Sequence, residues 1–176
     1  AELQNGNFDL VCGLTRTPQR SAHFLYLEPP VYAMDYVLFA RADDRVAPRS
    51  WDDVRALGEH GGILLNYDSS AIRRLNTLGG LRLDPTGRTV EQNLRKLQSG
   101  KGRFFFYIRH GGEAEIRRLK LEREIRVVEP ALDHQDFFLL LGRHVAPEQR
   151  DALQEALRAF AASGQLQALQ KQWSMQ

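Results

Sequence analysis

The polar residues with the clearest binding chemistry lie between Gly13 and Arg20. Thr17 is a favourable N-cap and Pro18 a favourable first helical residue, so a helix is predicted to begin here. Arg20 then lies in the first turn, where the positive end of the helix dipole disfavours a cation. An arginine in that place points to an anionic partner, which is either a carboxylate of the protein or one of a ligand.

A second group of polar residues follows the short apolar strand predicted at Gly62–Asn66. Asp68 or Ser69 is predicted to cap the helix Ala71–Leu78, so that backbone N–H groups and a hydroxyl face the end of the strand. Strand-to-helix junctions of this kind bind anionic groups. A plain N-cap explains the same residues equally well, and both interpretations stay open at this stage.

A third candidate group, Arg109 and His110, follows the predicted strand Arg103–Ile108. The end of a strand is a suitable place for residues that line a cleft, although a histidine there more often has no binding role. The glycines Gly111 and Gly112 are interpreted as a break before the next helix rather than as a phosphate-binding loop.

Signatures of catalysis are scarce in this chain. The motifs GxSxG and HExxH and the P-loop pattern are absent. Cys12 is the single cysteine, which excludes an intrachain disulfide, and its place in a predicted strand indicates a small buried hydrophobe. One cysteine and five dispersed histidines do not make a zinc-binding pattern. We therefore expect neither an enzyme nor a bound cofactor or metal.

Charge and hydropathy exclude two further classes of protein. The 24 basic and 22 acidic residues leave a net charge of +2, and no basic stripe is visible. The arginine doublets at 73–74 and 117–118 are interpreted as solvated helix faces, so no nucleic-acid partner is expected. The longest apolar runs, Tyr36–Ala40 and Phe137–Leu141, are far too short to span a membrane.

The first elements are predicted from a glycine that ends a helix and from alternating apolar residues. Residues Ala1–Asn5 are predicted to be the tail of a helix that stops at Gly6. Phe8, Leu10 and Cys12 alternate with other residues, which predicts a strand with these three side chains buried.

Between Gly62 and Val128 the predicted strands and helices alternate, as in an α/β layer with a mainly parallel sheet. Strong strands are predicted on either side of this block, at Met34–Arg41 and Phe137–Leu141. Two such strands fit a protein of two lobes with two crossings. The remaining predicted elements are two helices with Ser50 and Thr89 as N-caps (Thr89 forming a capping box with Gln92), the edge strand in Leu81–Arg88, the helix Glu113–Leu121, the strand Ile125–Val128, the helix Val145–Ala162 and a last helix marked by Leu166, Leu169 and Trp173.

The segments Leu3–Val11 and Gly13–Arg20, with the order Gly-turn, FDLV strand and GxTxTPxR, resemble the bacterial extracellular solute-binding proteins of family 3. The closing pattern of leucines, Ser163-Gly164 and Trp173 resembles the last helices of that family. The resemblance implies an α/β fold of the type II periplasmic binding proteins, with two α/β lobes joined by a two-strand hinge. It also implies that the first lobe is N-terminally incomplete.

The resemblance also implies a division of the chain. Residues 1–42 would form part of the first lobe and the first crossing strand, and residues 43–130 the second α/β lobe. Residues 131–176 would supply the return strand and C-terminal helices that pack on the first lobe.

Ligand-binding residues follow from the same resemblance. It assigns the ligand carboxylate to Arg20 and places Gly13 and Thr15 beside it on the first lobe, with Ser69 and Ser70 on the second. The family's acid for a ligand ammonium is absent here, because the stretch Arg103–His110 contains no Asp or Glu. The ligand then lacks an α-amino group, or one residue of a small set replaces the acid: Tyr107, Arg109 or His110. Two cationic candidates in that set favour a more anionic ligand.

The implied function is capture of a small polar or anionic, amino-acid-like solute in a cleft between the lobes, for an ABC importer. A periplasmic monomer is expected, with a signal peptide in its precursor and a permease as partner. Two alternatives stay open, a ligand-sensing domain of a signalling receptor and a dehydratase acting on small cyclic acids. The end of the chain soon after Trp173 favours the free-standing protein over the sensor.

Overall fold

Two long strands, β2 (Phe24–Arg41) and β6 (Ile125–Gly142), each contribute residues to two structural units of the chain. Unit 1 consists of Ala1–Met34 and Gln135–Gln176, and unit 2 of Asp35–His134. The computed structural model describes residues 7–67 and 69–174, without the side chains of residues 173 and 174. The predictions for Ala1–Gly6 and for Asp68 as a cap lie outside the described residues.

Unit 2 is a sheet covered by helices. In the strand order β2-β5-β3-β4, β3 is parallel to β4 and β5, whereas β5 runs antiparallel to β2. The parallel part of the sheet agrees with the predicted α/β alternation. Between β2 and β6, unit 2 contains α2 (Trp51–Ala56), β3 (Ile63–Asn66), α3 (Ser70–Leu78), β4 (Leu83–Gly87), α4 (Val90–Gln98), β5 (Phe104–Ile108) and α5 (Arg109–Arg118), with a 3₁₀ turn at Gly58–His60.

Local capping chemistry explains where α2 and α4 begin. Ser50 Oγ accepts a hydrogen bond from the Asp53 backbone N–H at 3.1 Å, and Thr89 Oγ1 accepts one from Gln92 N–H at the same distance. Gln92 Oε1 in turn accepts from the N–H of Arg88 at 2.7 Å. Both predicted caps are thereby confirmed.

The core of unit 2 lies between the sheet and helices α4 and α5. Side chains from β2, β3 and β5 pack against the leucines of α4 there, and no member of the cluster is more than 5% exposed. The members of this core cluster are Val37, Phe39, Leu64, Leu94, Leu97, Phe105, Ile116, Leu121 and Ile125.

Unit 1 is built from β1 (Leu10–Thr15), the ends of β2 and β6, and the helices α1 (Pro18–His23), α6 (Pro147–Ala162) and α7 (Gln165–Ser174). Strand β1 pairs antiparallel with β6, from Leu10 opposite Leu141 to Thr15 opposite Phe137. Among its described residues, one apolar cluster is centred on Phe138 with Leu140 and another on Leu27 with Leu141 and Leu157.

The predicted burial of Phe8, Leu10 and Cys12 is wrong, because all three side chains are exposed. The pairing of β1 with β6 shifts register at Gly13, between Cys12 and Leu14. This bulge changes the simple alternation, and Val11 and Leu14 are the β1 side chains that pack against the Phe138 cluster. Strand β1 also starts at Leu10, so Phe8 precedes it.

Two other predicted boundaries are corrected by the structure. Helix α5 begins directly at Arg109, so Gly111 and Gly112 lie inside the helix rather than before it. The two strands predicted at Ile125–Val128 and Phe137–Leu141 are parts of the single 18-residue strand β6.

Candidate functional site

In unit 1 the guanidinium of Arg20 is held by Thr15. Arg20 Nη1 donates to the backbone oxygen of Thr15 at 2.8 Å and to its Oγ1 at 2.9 Å. Thr17 caps α1 by accepting from the Arg20 N–H at 3.2 Å, as the sequence predicts. No carboxylate among the described residues forms an ion pair with Arg20. Within the described chain, the positive charge of Arg20 is therefore not neutralised by a protein acid.

Gly13 and the aromatic residues around it keep this segment in place. Gly13 has φ +83°, and a Cβ added to it would lie 2.5 Å from Tyr32 Oη. Tyr32 stacks on Phe137 with 4.7 Å between ring centroids. Tyr26 Oη donates to the backbone oxygen of Thr15 at 3.2 Å, so a tyrosine supports the residue that holds Arg20. A side chain at position 13 is excluded both by backbone conformation and by Tyr32.

Arg16 is a neighbouring arginine with a different environment. Its guanidinium lies 4.7 Å from the ring centroid of Tyr26 and 4.8 Å from that of Phe138, and it pairs with Glu28. The side chain is 49% exposed. Arg16 is thus a charge already matched within the protein, in contrast to Arg20.

In unit 2, Ser69 occupies the N-cap position of α3, but its hydroxyl does not cap the helix. Ser69 Oγ is buried and makes no hydrogen bond to any described residue. The backbone N–H of Ser69 donates to the oxygen of Asn66 at 3.3 Å, and Ser70 is exposed as the first helical residue. No acidic residue lies in the first turn of α3, so no described side chain of that turn neutralises the positive end of the helix.

Tyr107 lies on the face of the sheet that α5 covers. It is half-buried and stacks on Phe105 with 5.4 Å between centroids. Burial raises the pKa of its hydroxyl, and the neighbouring Tyr36 and Glu115 raise it further. A Cβ at Gly111 would lie 3.0 Å from the Tyr107 ring. These contacts describe a side chain packed between sheet and helix.

Arg109 is already paired with a carboxylate of the same unit. Its Nη1 and Nη2 donate to the two oxygens of Glu129 at 2.7 and 2.8 Å, and Glu113 lies 3.8 Å away. The bidentate hydrogen bonds raise the pKa of Arg109 and lower the pKa of Glu129. His110 is exposed in the first turn of α5.

The prediction that the doublet at 73–74 is a solvated face is wrong for Arg74. Its guanidinium lies 4.6 Å from the ring centroid of Tyr36, and its Nη2 is 2.5 Å from Asp133 Oδ2. Nearby, His134 Nδ1 is 2.8 Å from Asp35 Oδ1. Sequence reasoning missed this cluster because its partners are about 60 and 100 residues apart and share no local motif.

Within each unit the structure brings some predicted residues together. Arg20 contacts Thr15 directly in unit 1, and Ser69 and Ser70 are adjacent at the start of α3 in unit 2. Arg109, by contrast, is joined to Glu129, a residue that the sequence did not single out. Among the described residues no cluster of three or more His, Cys, Asp or Glu could hold a metal ion, and no described helix has the length and apolar character to span a bilayer.

Comparison with known proteins gives a match along the entire chain. The model of the bacterial extracellular solute-binding proteins, family 3, matches residues 1–176. A search of the curated proteins found no match.

Similar solved structures come from transport and from signalling. The chain is 16% identical to AbpA from Streptococcus pneumoniae, an amino acid ABC transporter substrate-binding protein bound to L-arginine (TM-score 0.68; 99% of this chain, 71% of that one). It is 16% identical to the GluR0 ligand-binding core from Nostoc punctiforme in complex with L-glutamate (TM-score 0.66; 98% of this chain, 76% of that one). It is 22% identical to a histidine kinase sensor domain with similarity to periplasmic binding proteins (TM-score 0.72; 98% of this chain, 72% of that one). At these identities the likeness establishes the fold, that of the type II periplasmic binding proteins.

Proposed function

Because the chain belongs to the bacterial extracellular solute-binding proteins, family 3, we propose that it captures a small carboxylate-bearing solute for an ABC importer. The family consists of binding proteins and not of enzymes. The solute class that we propose is a free amino acid or a related small acid. A periplasmic location, a monomeric state and a permease partner are parts of the same proposal.

The observation that carries this proposal is the environment of Arg20. Its Nη1 is fixed by two acceptors of Thr15, while no described carboxylate neutralises it. An arginine held in this way keeps N–H donors for a planar, bidentate contact with a carboxylate. We therefore assign the ligand carboxylate to Arg20, with Thr15 and Gly13 beside it.

Ser69 and Ser70 remain the proposed ligand residues of unit 2. The unpaired Ser69 hydroxyl and the start of α3 support this assignment, since both offer hydrogen bonds to a polar solute. Tyr107, Arg109 and His110 also remain proposals. The charge of Arg109 is balanced by Glu129, so Arg109 does not by itself favour a doubly charged anion.

The proposal is tested by thermal unfolding of the purified protein with L-arginine, L-lysine, L-glutamate, L-glutamine and succinate. A ligand at about 100 times its Kd adds about 2.7 kcal/mol to the free energy of unfolding and raises the melting temperature. We expect Arg20→Ala to abolish that increase, because the bound carboxylate would be left without its partner, at a cost of about 2–5 kcal/mol.

Arg16→Ala is the matched control, since Arg16 belongs to the same segment but is paired with Glu28. It should lower the melting temperature slightly and keep the ligand-induced increase. If the ligand raises the melting temperature of Arg20→Ala as much as that of the wild type, the proposed role of Arg20 is contradicted. No response to any of the five compounds contradicts the proposed ligand class.

A sensor domain is the second candidate function, favoured by the likeness to a histidine kinase sensor domain. The complete gene distinguishes the two candidates. A transmembrane segment and a kinase domain in the same reading frame support the sensor, whereas a neighbouring permease gene and a separate soluble product support the importer.

A further inference from the structure

Asn93 stands out among the described residues as a polar side chain with 0% exposure. It lies in α4 beside Leu94, and the apolar core of unit 2 surrounds that part of the helix. A buried amide without a hydrogen bond is costly, and a leucine of similar size would fill the space without that cost. The amide therefore has a use other than filling the core.

The side chain of Asn93 connects two elements of unit 2 through a hydrogen bond. Asn93 Nδ2 donates to Asn66 Oδ1 at 2.7 Å, which ties α4 to the last residue of β3. Asn66 in turn accepts from the Ser69 N–H through its backbone oxygen, at 3.3 Å. One side chain of α4 is thus two hydrogen bonds away from the start of α3.

Gly87, the last residue of β4, completes the arrangement. Its backbone oxygen accepts from the N–H of Tyr67 at 2.7 Å, so it holds the same connecting segment from the other side. A Cβ at Gly87 would lie 2.0 Å from Asn93 Oδ1. Gly87 thus lies against the amide whose Nδ2 reaches Asn66, and a side chain at position 87 would displace that amide.

We propose that Asn93 is a positioning residue that orders the segment from Asn66 to Ser70 through Asn66, and so sets the affinity for the solute that Ser69 and Ser70 bind. The second clause rests on the proposed function, whereas the first does not. Neither Asn93 nor Asn66 needs to touch the solute for this effect.

The first test measures backbone amide hydrogen exchange of the purified protein without ligand. In Asn93→Leu we expect exchange of peptides covering residues 66–72 to become about tenfold faster, because a buried acceptor loses its donor. Peptides covering β5 should keep their protection. Unchanged exchange at residues 66–72 overturns the proposal.

Conservative replacements separate a positioning role from general loss of stability. Asn66→Asp keeps an acceptor for Asn93 Nδ2 and should exchange like the wild type, whereas Asn66→Leu should behave like Asn93→Leu. Gly87→Ala should also make exchange at residues 66–72 faster, since its Cβ displaces the Asn93 amide.

Leu121→Ala is the control for a general loss of stability. It opens space elsewhere in the same core, so it should lower the melting temperature and leave the relative protection of residues 66–72 unchanged. Faster exchange of that segment in Leu121→Ala overturns the specific role of Asn93.

The second test measures Kd by calorimetry, using whichever of L-arginine and L-glutamate the wild type binds more tightly. About tenfold weaker binding in Asn93→Leu, restored towards the wild-type value in Asn66→Asp, supports the proposal. Faster segment exchange with an unaltered Kd overturns its second clause. Arg20 belongs to unit 1 and this segment to unit 2. An unaltered Kd in Arg20→Ala therefore counts against the proposed function, whereas the ordering of the segment by Asn93 is tested by the exchange measurement alone.

Discussion

The three arginines Arg20, Arg103 and Arg109 differ in whether a protein carboxylate neutralises them. Arg103 forms two hydrogen bonds with Asp44, and Arg109 forms two with Glu129. Arg20, held by neutral acceptors of Thr15, differs from both. Charge compensation, rather than the mere presence of an arginine, is what distinguishes a structural side chain from a candidate ligand residue.

Thr15→Val tests how Arg20 is oriented. The change removes the hydroxyl that accepts at 2.9 Å and keeps the backbone acceptor at 2.8 Å, so Arg20 should be held less firmly. We expect the solute Kd to rise by roughly two- to tenfold, the equivalent of one hydrogen bond. Calorimetry measures it. A Kd equal to that of the wild type shows that the backbone oxygen alone orients the guanidinium.

Asp44→Asn tests the ion pair with Arg103. Asp44 is 7% exposed, and the hydrogen bond from Arg103 lowers its pKa below the ordinary value. A carboxyl whose pKa is lower in the folded state stabilises the protein above its unfolded pKa, and loses this effect as the pH falls through the folded pKa. We expect Asp44→Asn to cost about 2 kcal/mol at pH 7, and less below about pH 4.

Urea unfolding at pH 7 and pH 3 measures this difference. Asp43→Asn serves as the control, since the Asp43 side chain is 82% exposed and its pair with Arg41 is long, at 3.4 Å. A gap between Asp44→Asn and the wild type that stays constant with pH would assign the destabilisation to altered packing instead.

At the scale of elements, α5 shows how tertiary packing overrides local preference. Two adjacent glycines favour a helix break, yet Gly111 and Gly112 lie inside α5. Gly112 is buried, and a Cβ there would lie 2.2 Å from the ring of Phe39. The glycine lets the helix approach the sheet closely, and burial of that helix offsets the weak helical preference.

Gly112→Ala should therefore destabilise the protein, although alanine is the better helix former. We expect a loss of roughly 1–3 kcal/mol from overpacking against Phe39, measured as a lower urea midpoint. Gly111→Ala is the comparison, because Gly111 is exposed and its Cβ would meet the Tyr107 ring at 3.0 Å. Equal or greater stability of Gly112→Ala would mean that α5 shifts away from the sheet without cost.

At the scale of the whole molecule, each unit has its own apolar core. All members of the unit 2 core lie between Val37 and Ile125, and the two clusters of unit 1 draw on residues before Met34 or after Gln135. The chain passes between the units at two places only, within β2 and within β6. A separate core for each unit is the physical basis for independent folding.

Residues 35–134 should accordingly fold when produced alone. We expect cooperative urea unfolding and dispersed amide NMR signals, because the fragment keeps the core and the β2-β5-β3-β4 sheet order. A fragment of residues 1–100, which cuts through unit 2, is the control expected to remain unfolded in that region. Non-cooperative unfolding of 35–134 would contradict an independent second unit.

Much of the fold was predictable because it depends on neighbours in sequence. Thr17, Ser50 and Thr89 cap the helices that follow them, as predicted, since a cap involves residues two or three positions apart. The alternation of strands and helices in unit 2 was equally visible. Which side chains of β1 are buried could not be predicted, because the bulge at Gly13 depends on pairing with a strand about 125 residues away.

The candidate site divides in the same way. The sequence by itself determined the family, the fold class and the presence of Arg20 beside two threonines, because these rest on local order of residue types. Only the tertiary structure decided that Arg20 lacks a described carboxylate partner while Arg109 has Glu129, and that Asn93 donates a hydrogen bond to Asn66. Such pairings join residues far apart in the chain. Whether a charge is neutralised or a polar group buried depends on which distant residues the fold brings beside it.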